Sequence, residues 1–168
     1  MDLYLVRHAI AEERDAERWP DDAARPLTSR GRSRFRRAAH GLAEAVPAPG
    51  VLLSSPYERS WATAELLERE AAWPAPRALP ALAPGTAPHE LLETVLAEAG
   101  DAAVVALVGH EPDLHRLASY LLTGSPAALV MEWHKGGVAC VRWDGPPRAG
   151  AATLAWQLPP RILRRLGR

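Results

Sequence analysis

Three short stretches hold the residue types from which a phosphoryl-transfer site can be made: Arg7-His8, Ser54-Ser55-Pro56 followed by Arg59, and Gly109-His110-Glu111. Arginine offers a planar fork of donors that matches phosphate oxygens, and it stays charged at any working pH. A neutral histidine attacks phosphorus when one ring nitrogen is held protonated and the other is free. His8, directly after Arg7, has the most suitable placement. His110 is suited to donate to a phosphoryl oxygen and to steady the charge that spreads over it during transfer. Each residue also has a plainer reading, since a strand-end histidine is commonly a satisfied polar group and a helix arginine a solvated charge. The joint arrangement carries the inference.

The elements around these stretches alternate. Residues 2–6 read as a short buried strand, and Thr28 as the N-cap of a helix over about 29–45. Residues 51–54 form a second apolar run. Ser55-Pro56-Tyr57-Glu58 has the form of a capping box, which predicts a helix over about 56–71 with Arg59 in its first turn. There the backbone N–H groups and the helix dipole favour an anion. Residues 72–87 read as a loop with one short strand near Ala78. Leu91, Leu92, Val95, Leu96 and Ala99 mark one helix face, 102–108 a strand, and 112–122 another helix. Two strands, 137–143 and 152–158, then flank a turn, and a basic tail (Arg161, Arg164, Arg165, Arg168) follows Pro159-Pro160.

This order predicts an α/β fold over residues 1–168: a single-domain three-layer α/β/α sandwich with a mostly parallel central sheet and an antiparallel edge near the C-terminus. Ligands of such sheets bind beyond the carboxyl ends of the strands, where all three stretches lie.

Composition narrows the classes. Lys plus Arg and Asp plus Glu are both 20, so the formal net charge is zero, without the basic excess of a nucleic-acid binder. No apolar run approaches the roughly 20 residues of a membrane span. MDLYLVRHA is too short and too soon charged for a signal peptide, so a cytoplasmic location is expected. Cys140 is the only cysteine, which leaves no internal disulfide; its apolar surroundings predict a small core residue.

Leu5-Val6-Arg7-His8-Ala9 resembles the opening motif of the histidine phosphatase superfamily, usually Arg-His-Gly. Pro26-Leu27-Thr28-Ser29-Arg30-Gly31 is similar to its P-L-T-x-x-G segment, and 53–64 to its S-S-P-x-x-R-x-x-x-T-A segment. Val108-Gly109-His110-Glu111-Pro112 resembles the second-histidine motif. The short length and the closing Trp156-Gln157-Leu158-Pro159-Pro160 are most similar to the SixA-type phosphohistidine phosphatases. The resemblance implies a phosphoglycerate mutase-like fold and transient phosphorylation of His8. Arg7, Arg59 and His110 would complete the phosphate pocket. Thr28 and Gly31 would shape the first long helix, and Thr63 would be structural. It also implies no metal and no other cofactor.

Two features depart from the family pattern. Ala9 replaces the usual glycine, a small change expected to be tolerated. The insertion that brings a glutamate proton donor in larger members is missing; Glu12, Glu111, Asp113 and Lys135 are the possible substitutes. A phosphohistidine leaves as an imidazole, which needs less help from an acid than an alkoxide does. A phosphohistidine-bearing protein is therefore the expected partner of a monomeric enzyme. A small phosphate ester, nucleotide or polyphosphate is the alternative substrate, and a non-catalytic phospholigand-binding module the rival class.

Among the remaining features, Arg30, Arg32, Arg34, Arg36 and Arg37 read as a solvated helix face that could dock an acidic partner. His134-Lys135-Gly136-Gly137 reads as a turn. His40, His89 and His115 read as surface or boundary residues, and Trp19, Trp61 and Trp73 as either rim or core.

Overall fold

The structure is a computed structural model and describes residues 1–167. The strands are β1 (Asp2–Arg7), β2 (Val51–Ser54), β3 (Arg77–Ala78), β4 (Val104–Gly109), β5 (Val138–Arg142) and β6 (Thr153–Leu158). The helices are α1 (Ser29–Ala45), α2 (Glu58–Ala71), α3 (Pro88–Ala99), α4 (Asp113–Thr123) and α5 (Pro160–Leu166). One six-stranded sheet runs in the order β3-β2-β4-β1-β5-β6. The β3-β2-β4-β1 half is parallel, and β5 and β6 complete it antiparallel.

Alternation along β1 divides the core. Tyr4 and Val6 face the side covered by α1, α2 and α5, where Phe35, Leu42, Leu67 and Leu163 are buried. Leu3 and Leu5 face α3 and α4, against Leu91, Val95, Leu114 and Leu117. Each such leucine contributes about 1.5–3 kcal/mol on burial, and a one-residue slip of β1 would exchange the two sets between layers and misfit both. The result is the expected three-layer sandwich. Cys140 is fully buried within it.

The register is what serves the site. β1 and β4 pair from Asp2↔Val104 to Arg7↔Gly109, so His8 and His110 leave adjacent strands at the same level. Thr28 caps α1 as expected, its Oγ1 accepting from Gly31 N–H at 2.8 Å. Gly31 is required there because a Cβ would lie 2.0 Å from the Ile10 carbonyl oxygen.

Two local expectations are corrected. The Ser55–Glu58 segment is not a capping box: α2 begins at Glu58, and its N-cap, Tyr57, makes no side-chain cap. Ser55 Oγ instead accepts weakly from Tyr57 N–H at 3.3 Å and lies 2.8 Å from His110 Nε2. The basic tail is helical over Pro160–Leu166, and Arg168 lies outside the described residues. α5 packs on α1 through Gly41, where a Cβ would meet the Leu163 carbonyl oxygen at 2.0 Å. Leu163 is buried beside it, which explains why so polar a run folds back.

Candidate active site

His8 is fixed through its backbone. Its N–H donates to the Gly109 carbonyl at 3.0 Å, and its own carbonyl accepts from Gly136 N–H at 3.1 Å. The next amide, Ala9 N–H, donates to Thr63 Oγ1 at 3.0 Å, and that hydroxyl donates to the Arg59 carbonyl at 2.6 Å. Thr63 thus ties α2 to the end of β1. Ala9 lies within the core without positive φ, so its methyl is accommodated.

The His8 ring has a defined tautomer. Nδ1 is 2.7 Å from the Ala9 carbonyl oxygen, an acceptor only, so Nδ1 carries the proton and Nε2 keeps its lone pair. Burial, reinforced by the charges of Arg59, Arg7 and Lys135, lowers the His8 pKa to about 3. The ring is neutral at any ordinary pH.

His110 lies 5.3 Å from His8 between ring centroids. Its Nε2 faces two hydroxyls, Ser55 Oγ at 2.8 Å and Ser60 Oγ at 3.2 Å. Burial and the neighbouring Arg59 charge hold its pKa at about 3 as well. When Nε2 accepts from a serine, Nδ1 bears the ring proton, and Nδ1 is buried without a protein partner.

Two guanidinium groups join the histidines. Arg7 donates NH1 to the Trp133 carbonyl, and Arg59 donates NH1 and NH2 to the Asp22 carbonyl and carboxylate at 2.8 and 3.0 Å. The Tyr57 ring sits 5.0 Å from the Arg59 guanidinium carbon and 5.2 Å from the His110 ring. The Nε groups of Arg7 and Arg59 are buried with no partner among the described residues. Trp19 and Trp73 Nε1 lack a partner too, but the three N–H groups of Arg7, Arg59 and His110 belong to the strand-end cluster and together suit an anion.

The comparisons agree with this chemistry. Residues 3–83 match the histidine phosphatase superfamily, branch 1. An uncharacterized protein of Picosynechococcus is 35% identical over 125 residues, which is 74% of each chain. The structure of the protein histidine phosphatase SixA complexed with tungstate superposes with a TM-score of 0.80 at 26% identity, over 97% of this chain and 99% of that one. The putative phosphohistidine phosphatase SixA from Nakamurella multipartitia gives 0.73 at 25%, over 93% and 94%.

This chain belongs to the histidine phosphatase superfamily. It falls in the SixA-type branch and is a phosphatase. The superfamily match contains Arg7, His8 and Arg59 but ends before His110, which the β1–β4 register restores to the site.

The four proton-donor candidates separate. Glu111 follows His110 and is half-buried, with Oε1 unpartnered; burial raises its pKa while Arg7 opposes the rise. Lys135 is exposed at the rim, its pKa lowered by burial of its stem and by Arg7, Arg25 and Arg59. Glu12 turns toward Arg18 at 3.5 Å. Asp113 accepts from Gly85 N–H at 3.1 Å and lies 3.6 Å from Arg116.

Three contributors escaped sequence reading. Asp22 sits on a short 3₁₀ turn and gathers Arg14, Arg25 and Arg59. Burial works to raise its pKa, but hydrogen bonds from Arg25 and Arg14 and the charge of Arg59 outweigh it and hold the carboxylate at about 2. Arg25, also buried, donates to the Glu12 carbonyl at 2.7 Å; its place just before Pro26-Leu27-Thr28 was the available signal. Tyr57 had none.

Of the other residues, Trp73 is core, 5.9 Å from Tyr4 between rings, while Trp19 and Trp61 are half-buried. His40 meets Glu70, His89 is exposed, and His115 contacts the Leu129 carbonyl. The turn at 134–137 carries the Gly136 amide that holds His8. No group of three His, Cys, Asp or Glu side chains able to hold a metal occurs among the described residues. No helix among them is long and apolar enough to cross a membrane.

Proposed function

We propose that this phosphatase removes phosphate from phosphohistidine in a protein, through transient phosphorylation of His8. The observation that carries the reading is the His8 tautomer: Nδ1 is spent on the Ala9 carbonyl, leaving the Nε2 lone pair free, with unspent N–H donors on Arg7, Arg59 and His110. The SixA likeness at 26% and 25% identity supports the substrate class, since those proteins are described as a protein histidine phosphatase and a putative phosphohistidine phosphatase. A location in the cytoplasm belongs to the same proposal.

In the first step the Nε2 lone pair attacks phosphorus, and a bond from His8 nitrogen to phosphorus forms as the bond to the substrate imidazole breaks. Arg7, Arg59 and the His110 Nδ1–H hold the equatorial oxygens, where charge accumulates. The leaving imidazole takes a proton from Glu111, the half-buried carboxyl next to His110, whose pKa burial raises. In the second step water attacks in line, the bond between His8 and phosphorus breaks, and the Glu111 carboxylate accepts the water proton. Free phosphate leaves and His8 returns to its starting tautomer.

The test is phosphate release from a phosphohistidine-bearing protein in the presence of a chelator, comparing the parent with His8→Ala. Release by the parent alone, with an acid-labile phosphoenzyme on His8, is expected. Equal release by both proteins would rule out the nucleophile. Silence of the parent here, with turnover of a small phosphate ester, would reassign the substrate.

A further inference from the structure

The arginines of α1 divide by helical phase. Arg32 and Arg36, four apart, turn to α2, where Glu58 lies at 3.7 Å and Glu70 at 2.9 Å. Arg34 lines a crevice with Arg164 of α5, and the charges of Arg34 and Arg37 add to burial in lowering the Arg164 pKa. None of these three arginines has an ion-pair partner among the described residues. In a chain of zero net charge, that local excess is a specific feature.

The excess runs on into the active site. A narrow crevice between α1 and α5 is lined by Arg34, Arg164 and Lys135 and ends at Gly136 and Ala9, the residue after His8. Lys135 is close enough to lower the His8 pKa. A cationic face that begins beside the nucleophile and extends over two helices is wider than one phosphoryl group needs, because Arg7, Arg59 and His110 already surround that group.

We propose that Arg34, Arg37, Arg164 and Lys135 form a docking face for an acidic protein surface, the surface on which the phosphorylated histidine itself sits. This names the partner for the reading above and rests on it. An acidic surface is the complement because like charges without ion-pair partners among the described residues, exposed at Arg37 and Lys135 and half-buried at Arg34 and Arg164, attract an opposite field, which raises encounter rate and fixes orientation. Nucleic acid and anionic membrane fit less well. The face borders the catalytic histidine through Lys135 and Ala9, so a single molecule should carry both the charge and the phosphoryl group.

The test uses peptides of about twenty residues that each bear one phosphohistidine, one with glutamate-rich flanks and one with glutamine flanks, beside free phosphohistidine. The parent should prefer the acidic peptide by about tenfold in kcat/KM, mainly through KM, and the preference should shrink at high salt. Arg34→Glu with Arg164→Glu should abolish the preference yet leave hydrolysis of free phosphohistidine within about twofold of the parent. Arg37→Glu, at an exposed position outside the crevice lining, is the second variant. A preference that survives both variants, or none in the parent, would overturn the docking face. If the parent hydrolyses none of the three, the phosphohistidine reading fails separately. Docking is then read from titration of the same two peptides, unphosphorylated, where equal binding overturns it and a loss confined to the variants sustains it. An oligonucleotide or anionic vesicle that displaces the acidic peptide at equal charge would assign the face to another partner, against the proposal.

Discussion

His8 and His110 stand at the ends of two paired strands and are held by backbone amides and carbonyls, whereas Arg59 is steadied from across the site by a loop, chiefly through Asp22. The histidine floor is buried and neutral, its geometry set by sheet register. The wall over residues 12–27 is partly exposed and charged, held by ion pairs to Arg14, Arg25 and Arg59. A floor of the first kind suits the group whose position determines the chemistry, because register leaves it little freedom. A wall of the second kind can admit a bulky substrate and close around its phosphate. The division predicts that floor substitutions act on kcat and wall substitutions on KM.

The sharpest break is His8→Ala, for which kcat should fall on the order of 10⁴-fold or more, since removing a nucleophile removes the pathway. Thermal unfolding should be little changed near neutral pH. A residual rate within tenfold of the parent would dissolve the distinction between floor and wall. Next is Arg59→Ala, expected to cost about 10²–10³-fold in kcat/KM. Arg59→Lys should recover little, because the ammonium keeps the charge but loses the fork. Full recovery with lysine would mean that Arg59 supplies field alone.

Asp22 tests the wall. Asp22→Ala should raise KM about tenfold while kcat moves less than threefold, and Asp22→Glu should restore part of the loss. This separates positioning of Arg59 from plain loss of fold, which would depress both parameters and the unfolding temperature together. A kcat loss on the scale of His8→Ala would place Asp22 with the floor.

The floor was readable in the sequence because its causes are local. The alternation Leu3-Tyr4-Leu5-Val6 sets β1 and its two faces, and Arg7-His8 must then emerge at the strand end. The wall was not readable, because Asp22 acquires its role from Arg59, 37 residues away, and nothing near Asp22 announces it. Ser55 shows the same limit in reverse: its spacing to Glu58 fits a local cap, but its hydroxyl is beside His110, a tertiary demand that outweighs the helix signal. α5 reads as a tail because its arginines conceal Leu163, and the contact that orders it depends on a missing side chain at Gly41.

The smallest effect concerns stability in acid and separates the floor from the wall by sign and by pH window. His8 and His110 both have folded pKa values near 3, below the 6.5 of a free histidine. Between these limits the unfolded chain binds more protons than the folded one, so stability rises with pH, is complete above about 6.5 and is lost as pH falls toward 3. Each histidine contributes a slope of about 1.4 kcal/mol per pH unit inside the window. His8→Gln keeps a neutral polar side chain, so the variant should lose about half of the two histidines' combined slope between pH 6 and 5, roughly a 2–4 °C smaller fall in Tm. Asp22, held near 2, releases its contribution only when the pH drops below the ordinary carboxylate range, and Asp22→Asn should leave the slope from 6 to 5 unchanged. Parent and His8→Gln melting in parallel over that interval would mean that His8 is not held neutral by the fold. The two-part reading of the site would then lose its electrostatic basis.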